Sequence, residues 1–260
     1  MRVVRTVADV RAALDGRDDV GLVPTMGAYH TGHEALFHTA RVESDFVVAS
    51  LFVNPAQFGD EADLAAYPRD EARDAAIAEA AGVDLLFAPS LEEMYPAGFQ
   101  TWVEVEDAAR GLEGDARPGH FRGVATVCLK LFAIVRPQRA YFGQKDAQQV
   151  AVIRRMVRDL ELDLAIRVVP TVRDADGLAL SSRNARLSPA ERKRALALPR
   201  ALAAAVGAAD PVAAAHAGLN GLHPDYVELL DLDGATVLAA AARVGPVRLI
   251  DNVLLKGSLQ

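Results

Sequence analysis

Short apolar runs alternate with helical patterns along the first two thirds of the chain. Continuous apolar runs are typical of strands buried on both faces of a parallel sheet, and they occupy residues 20–23, 46–53, 83–88, 140–142 and 164–169. Helical patterns precede or follow these runs at residues 6–14, 34–42, 70–81, 121–134 and 148–160. Strands that alternate with helices indicate βαβ units. The pattern therefore predicts an α/β fold with a parallel sheet covered on both faces, and one more short strand at residues 102–105 near an edge.

The pattern changes after residue 171. Residues 173–187 are polar and show little periodicity, so we interpret them as a hinge followed by an active-site loop. Ser188 and Pro189 then form a strong helix start, and an alanine-rich helix is predicted to extend to about residue 206. Apolar runs at residues 226–230 and 247–250 predict strands of a small α+β domain. We therefore expect two domains, residues 1–171 and 172–260.

Composition narrows the class of protein. The chain has 260 residues, of which 51% are apolar, so it can form a sizeable core. No apolar run approaches the roughly 18 uncharged residues of a membrane span, and the N-terminal residues lack the apolar core of a signal peptide. The single cysteine, Cys128, rules out an internal disulfide and fits a reducing cytoplasm. A net charge of -7 argues against a nucleic-acid-binding protein, which needs a basic face.

The end of the first buried strand carries the strongest local signal. Pro24 and Gly27 interrupt the apolar run, and Thr31 and Glu34 have the spacing of a capping box. The spacing predicts a helix that begins at about Gly32. A helix that starts at the carboxyl end of a strand presents its unpaired N–H groups at the edge where open α/β sheets bind ligands.

Two histidines flank this predicted helix start. His30 would lie just before the cap and His33 in the first turn, beside the positive end of the helix dipole. Gly32 between them would let a phosphate approach the backbone. Two other interpretations of these histidines are incidental surface residues and a zinc-binding pair. No cysteine or glutamate stands at a third-ligand spacing nearby, which disfavours zinc.

Other candidate groups follow later strands and the polar loop. Lys145 and Asp146 come directly after the strand at 140–142, where Lys145 offers a compact cation for phosphate oxygens or is simply solvated. Arg183 lies within Leu180-Ser-Ser-Arg-Asn on the polar loop. Two hydroxyls and a guanidinium on a loop suit a clamp that closes over a triphosphate.

Five strings in the same order resemble the pantothenate synthetase family, of the nucleotidyltransferase superfamily that is related to class I aminoacyl-tRNA synthetases. The strings are PTMGAYHTGH at 24–33, FVNPAQFG at 52–59, RPGHFRGVAT at 117–126, YFGQKDAQQ at 141–149 and DGLALSSRN at 176–184. The resemblance covers nearly the whole chain. It implies a Rossmann-like doubly wound parallel sheet with a smaller C-terminal α+β lid domain, usually in a homodimer.

The resemblance also implies an activity. The family joins pantoate to β-alanine with ATP through a pantoyl-adenylate, releasing AMP and pyrophosphate. Mg²⁺ would bridge the phosphates, and we predict no protein ligand for it. An ionised carboxylate needs no general base, so we expect catalysis by positioning and by positive charge from His30, His33, Lys145 and Arg183.

Site residues follow from the resemblance by position. Those expected to bind ATP are Met26, Gly27, Ala28, Tyr29, His30, Thr31, Gly32, His33, Gly143, Gln144, Lys145, Asp146, Val172, Leu180, Ser181, Ser182 and Arg183. Those expected to bind pantoate or β-alanine are Gln57, Gln149, Asn54 and Met26. Three further residues are expected near the site without an assigned role: Arg117, His120 and Arg122.

The chain departs from the family pattern in three places. Tyr29 replaces the usual leucine and Gln144 the usual glutamate, and we expect altered packing at both. Residues 202–225 form a shortened segment, which affects the expected shape of the lid.

Two rival hypotheses remain at this stage. One is an adenylyltransferase that acts on a phosphate monoester, although the amides of Gln57 and Gln149 suit a hydroxy acid better. The other is a non-catalytic nucleotide-binding protein, against which the four intact candidate catalytic residues weigh. Neither a P-loop nor a G-x-G-x-x-G string is present, so kinases and dinucleotide-binding enzymes lack support.

Overall fold

The computed structural model describes residues 1–259, which form two compact units. Unit 1 comprises residues 1–29, 33–142 and 152–169. Unit 2 comprises residues 30–32, 143–151 and 170–259. Two short segments far from the C-terminal region in sequence, 30–32 and 143–151, therefore belong to unit 2. The domain boundary between residues 171 and 172 stays a prediction.

A six-stranded parallel sheet dominates unit 1, in the order β1-β4-β3-β2-β5-β6. The strands are β1 (Arg2–Val4), β2 (Val20–Val23), β3 (Phe46–Ser50), β4 (Leu85–Phe87), β5 (Arg139–Gly143) and β6 (Ala165–Val169). All five predicted apolar runs form strands. The strand order reverses at β2, which pairs with β3 on one side and β5 on the other. The carboxyl ends of β2 and β5 are thus a topological switch point, where sheets of this kind bind ligands.

Helices accompany the sheet as the patterns predicted, with additional short ones in the connections. The first eight helices are α1 (Val7–Leu14), α2 (Thr31–Glu43), α3 (Glu61–Ala66), α4 (Glu71–Ala80), α5 (Leu91–Met94), α6 (Leu112–Ala116), α7 (His120–Val135) and α8 (Ala147–Asp159). The helices α3, α5 and α6 have only four to six residues, which is too short for periodicity to reveal them. Within residues 1–259, none of the helices has the length and apolarity to cross a membrane.

The edge of the sheet differs from the prediction. The strand predicted at residues 102–105 is wrong. This segment does not pair with the sheet. Val103 N–H donates to Thr126 Oγ1 on α7 at 3.0 Å, and the ring of Trp102 stacks on that of Tyr95. One edge strand of the sheet is β1, which pairs with β4 and was not predicted because three residues carry no recognisable period.

Unit 2 contains an antiparallel sheet in the order β7-β8-β9 with three helices. The strands are β7 (His223–Leu232), β8 (Ala235–Val244) and β9 (Val247–Lys256), and the helices are α9 (Pro189–Ala195), α10 (Ala197–Ala205) and α11 (Pro211–Gly218). The core is built from leucine and alanine side chains, among them Leu198, Leu202 and Leu238. The predicted α+β architecture is confirmed, and Ser188 caps α9 in a capping box with Glu191.

Two details of unit 2 correct the predictions. The single helix expected to extend to residue 206 is divided into α9 and α10, because Pro199 cannot donate to the carbonyl of Ala195 and its ring would clash with it. Strand β8 was missed because its four consecutive alanines, 239–242, favour a helix locally. They are buried in the sheet, where small side chains pack, and tertiary packing overrides the local preference.

The polar segment after residue 172 contains a hydrogen-bonded turn, and the hinge expected there stays a prediction. Asp174 N–H donates to the Leu178 carbonyl at 2.9 Å, and Gly177 has a φ of 95° at the turn. The Arg192 guanidinium pairs with Asp174 at 2.6 Å and with Asp176 at 2.8 Å. These contacts tie the turn to α9 within unit 2.

Candidate active site

A tight turn follows β2 and is held by a carboxylate from α4. Asp74 is buried, and its two oxygens accept hydrogen bonds from the N–H groups of Ala28 and Tyr29, both at 2.8 Å. Gly27 and Ala28 have positive φ values of 95° and 56°. A Cβ at Gly27 would lie 2.6 Å from Leu51 Cδ1 and 2.8 Å from Asp74 Oδ2, so the turn requires glycine there.

The helix start differs by one residue from the prediction. The helix α2 begins at Thr31, so Thr31 is its first helical residue and not its cap. The capping position is held by His30, whose Nδ1 accepts a hydrogen bond from Gly32 N–H at 3.1 Å. An imidazole nitrogen that accepts a hydrogen bond carries no proton, so the neutral ring has its proton on Nε2.

His30 is a neutral group at pH 7, which corrects its expected role as a cation. Burial and, to a lesser degree, the positive charge of Lys145 lower the pKa of His30 to about 4, while Asp146 and Asp174 act in the opposite direction. Protonation of Nδ1 would also break the bond to Gly32. His30 therefore offers an uncharged Nε2–H donor, whereas the charge near it comes from Lys145.

We expect the imidazole of His30 to titrate with a midpoint near 4, which NMR of the histidine ring protons can measure. An unfolded chain would protonate this residue at about 6.5. Because the folded pKa is the lower one, stability should be unaffected above that pH and should fall as the pH drops from about 6.5 towards 4. Lys145→Met should raise the midpoint. A midpoint near 6.5 in the folded protein would contradict both the burial and the cap.

His33 lies in the first turn of α2 and packs on a buried tyrosine. The rings of His33 and Tyr29 are 5.2 Å apart at 48°. Tyr29 is only 1% exposed, and its hydroxyl lies 2.9 Å from Thr25 Oγ1. Burial raises the pKa of the Tyr29 hydroxyl, which keeps it protonated. Tyr29 thus supplies an aromatic wall for His33.

The amide of Gln57 is oriented by Asn54. Asn54 Nδ2 donates to Gln57 Oε1 at 3.0 Å and to the Gly123 carbonyl at 3.1 Å, while Asn54 Oδ1 accepts from the Tyr95 hydroxyl at 2.9 Å. Asn54 and Gln57 are only 1% and 7% exposed. Because Oε1 is bonded to Asn54, Gln57 is set to present its NH₂ group as a donor.

The carbonyl of Gln57 is held by two residues of the third string. His120 Nδ1 donates to it at 2.9 Å, and His120 Nε2 accepts from Arg117 Nη1 at 3.0 Å. Arg122 lies elsewhere, with its guanidinium 4.5 Å from the centre of the Trp102 ring. A Cβ at Gly123 would collide with the Ala56 carbonyl, so that glycine lets the turn of Gln57 lie directly on α7.

Lys145 sits in a single 3-10 turn, Gln144–Asp146, between β5 and α8. Asn252 on β9 bonds to this turn: its Nδ2 donates to the carbonyls of Gln144 and Lys145, and its Oδ1 accepts from Gln144 Nε2 at 3.1 Å. A glutamate at position 144 would place an acceptor against that Oδ1, so glutamine fits here. Sequence reasoning missed Asn252. The available signal was the polar pair Asp251-Asn252 within an apolar strand.

The polar loop contributes main-chain and hydroxyl groups. Leu180 N–H donates to the Val172 carbonyl at 3.0 Å, and Ser181 Oγ accepts from Arg183 N–H at 3.2 Å at the start of the 3-10 helix Ser182–Arg186. A Cβ on Gly32 would lie 3.8 Å from Leu180 Cβ. The loop therefore lies next to the segment that begins α2.

Each predicted site residue belongs to one of the two units. Unit 2 contains His30, Thr31, Gly32, Gly143, Gln144, Lys145, Asp146, Gln149, Val172, Leu180, Ser181, Ser182 and Arg183. Unit 1 contains Met26, Gly27, Ala28, Tyr29, His33, Asn54 and Gln57. No group of three or more His, Cys, Asp and Glu side chains in residues 1–259 is arranged to hold a metal ion.

The sheet and its switch point define the chain as a Rossmann-like α/β protein. A family model described as pantoate-beta-alanine ligase matches residues 2–254. A pantothenate synthetase of Acidobacterium capsulatum is 50% identical, with 98% of this chain and 97% of the relative covered, and that of Chloroflexus aggregans is 51% identical, with 98% and 100% covered.

Solved structures agree with these relatives. The crystal structure of pantothenate synthetase from Thermus thermophilus has a TM-score of 0.94 and 49% identity, covering 99% of this chain and 100% of that one. The pantoate-beta-alanine ligase of Francisella tularensis, complexed with beta-gamma ATP and beta-alanine, has a TM-score of 0.84 and 36% identity, covering 99% of each chain. The chain belongs to the pantoate–β-alanine ligase family, and it is a ligase that joins pantoate to β-alanine.

Proposed function

We propose that the protein uses ATP to convert pantoate into pantoyl-adenylate and then transfers the pantoyl group to the amine of β-alanine, releasing pyrophosphate and AMP. The match of the family model over residues 2–254 is the observation that carries this proposal. The chemistry requires activation, because a carboxylate does not form an amide with an amine at neutral pH. Relatives of about 50% identity that cover almost the whole chain are named pantothenate synthetase. These names argue against both the adenylyltransferase and the non-catalytic nucleotide-binding protein.

In the first step an oxygen of the pantoate carboxylate attacks the α-phosphorus of ATP, and the bond from that phosphorus to the pyrophosphate oxygen breaks. Negative charge develops on the phosphate oxygens. Lys145 and Arg183 would stabilise it as cations, and His33 would act from the first turn of α2. His30 would contribute a neutral Nε2–H donor. Preorganised groups of this kind act mainly by electrostatics and positioning.

The geometry of each segment supports the proposed substrate contacts. The NH₂ group of Gln57, oriented by Asn54, would donate to pantoate, and Gln149 on α8 would hold it as well. The turn that contains Met26 and the loop of Leu180 to Arg183 would contact ATP. In the second step the β-alanine amine attacks the acyl carbon of the adenylate, the bond from that carbon to the phosphate oxygen breaks, and AMP leaves.

Mg²⁺ would enter as part of the nucleotide substrate. Phosphate oxygens and water would hold the ion, because Mg²⁺ dehydrates reluctantly and usually binds through substrate phosphates. We also propose that the protein is cytoplasmic, that it forms a homodimer, and that residues 172–260 serve as a lid domain. The family resemblance supports the dimer and the lid. The buried free thiol of Cys128 fits a reducing compartment.

An oxygen-label experiment tests the proposed route. Pantoate with ¹⁸O in both carboxylate oxygens is incubated with ATP, Mg²⁺ and β-alanine, and the products are analysed by mass spectrometry. The acyl-adenylate route predicts one ¹⁸O in AMP and one in the amide carbonyl of pantothenate. AMP without label would contradict an adenylate of the carboxylate. In a parallel reaction with ATP, Mg²⁺ and a phosphate monoester in place of pantoate and β-alanine, an adenylylated ester would indicate the rival transferase. No turnover in either reaction would indicate the non-catalytic protein.

A further inference from the structure

Strand β9 carries two adjacent buried polar side chains, Asp251 and Asn252, each only 2% exposed. Polar groups this deeply buried are costly unless they are hydrogen-bonded. Asp251 is bonded to Arg173, with distances of 2.6 and 2.9 Å to the two guanidinium nitrogens. That ion pair ties the polar loop to β9. Arg173 contacts Asn252 only at its main-chain carbonyl, at 3.4 Å. The Arg173–Asp251 ion pair therefore does not involve the side-chain carboxamide of Asn252.

The carboxamide of Asn252 is fully used by one turn. Its Nδ2 donates at 2.8 Å to the carbonyl of Gln144 and at 2.9 Å to that of Lys145, which lies 107 residues earlier in the sequence. Its Oδ1 accepts from Gln144 Nε2. Two consecutive carbonyls and one side chain of the 3-10 turn thus converge on a single residue of β9. The main chain that carries Lys145 is held at this point.

We propose that Asn252 is a positioning residue for Lys145 in the adenylation step. The inference rests on the proposed function, which assigns Lys145 to the phosphate charge. A lysine side chain is a flexible stem that ends in a point charge, so the place of its main chain decides what the charge can reach. A displacement of about 1 Å by a change away from the chemistry can lower a rate by about a hundredfold.

Three variants separate positioning from general stability, measured as the exchange of labelled pyrophosphate into ATP with pantoate and Mg²⁺. Asn252→Ala should lower kcat by about 10- to 100-fold and leave KM for pantoate within about twofold. Asn252→Asp should lower kcat at least as much, although the two side chains have nearly the same volume. The substitution replaces the NH₂ group and its two N–H donors by an oxygen that can only accept. Leu249→Ala is the matched control, since it removes a buried side chain of β9 and should lower Tm with little change in kcat.

The decisive measurement is a double-mutant cycle with Lys145→Ala. If Asn252 acts through Lys145, then Asn252→Ala should change the exchange rate by less than about twofold once Lys145 is absent. In the chain that retains Lys145, Asn252→Ala should also raise the NMR titration midpoint of His30, because the charge that lowers the His30 pKa is displaced.

The outcomes distinguish this inference from the function on which it rests. If Lys145→Ala leaves exchange intact, the assigned role of Lys145 is wrong and the inference falls with it. If Lys145→Ala abolishes exchange but Asn252→Ala behaves like Leu249→Ala, or if the two losses multiply in the double variant, the inference alone is wrong.

Discussion

Lys145→Ala is expected to slow the exchange of labelled pyrophosphate into ATP by about 10²- to 10³-fold, the usual effect of losing one preorganised charge stabiliser. The assay contains ATP, Mg²⁺ and pantoate but no β-alanine. Lys145 lies in the turn after β5, and its positive charge is close enough to His30, at the start of α2, to lower the pKa of that imidazole. The alanine variant retains the fold of the turn, because Asn252 bonds to the carbonyl of residue 145 and not to its side chain.

The matched control is Lys193→Ala, which removes an exposed lysine on α9 of the same unit and should leave exchange unchanged. The unmodified protein should show exchange without the amine, since activation of the carboxylate precedes its arrival. Exchange that strictly requires β-alanine would contradict the two-step mechanism, even if pantothenate is the final product. If Lys145→Ala and Lys193→Ala show the same exchange rate, Lys145 has no role in the adenylation step.

His33→Ala should lower the adenylation rate by about a hundredfold. His33 lies in the first turn of α2, with its ring against the buried Tyr29, so it is held in place for a developing charge. Pantoate binding should change little, because Gln57 and Gln149 are the groups assigned to it. Single-turnover formation of pantoyl-adenylate and pyrophosphate, measured without β-alanine over a range of pantoate concentrations, separates the rate from the binding.

His38→Ala provides the control for His33, because it removes an exposed histidine from the same helix. We expect its adenylation rate to equal that of the unmodified protein. A loss in His38→Ala as large as that in His33→Ala would show that the helix, and not the His33 side chain, is responsible. A rise in the pantoate KM of His33→Ala with an unchanged rate would move His33 from catalysis to binding.

The sequence alone determined the parts of the fold that depend on neighbouring residues. Continuous apolar runs predicted five of the six strands of the parallel sheet, because burial on both faces leaves that pattern directly in the chain. Ser188 and Pro189 marked the start of α9, where Ser188 forms a capping box with Glu191, three residues away. The five strings identified the family, since their order and content are far more specific than any single residue. Pro199 also marked the break between α9 and α10, although its meaning was missed.

Only the tertiary structure decided features that depend on distant residues. Strand β8 contains a run of four alanines whose local preference is helical, and pairing with β7 and β9 makes it a strand. The cap of α2 is an imidazole and not the predicted threonine. His30 is neutral because of burial and because Lys145 lies nearby, and no local pattern contains either fact. Asn252 reaches the Lys145 turn across 107 residues. Patterns within a turn or a strand specify elements, whereas the protonation and placement of site residues depend on contacts that form only when the chain has folded.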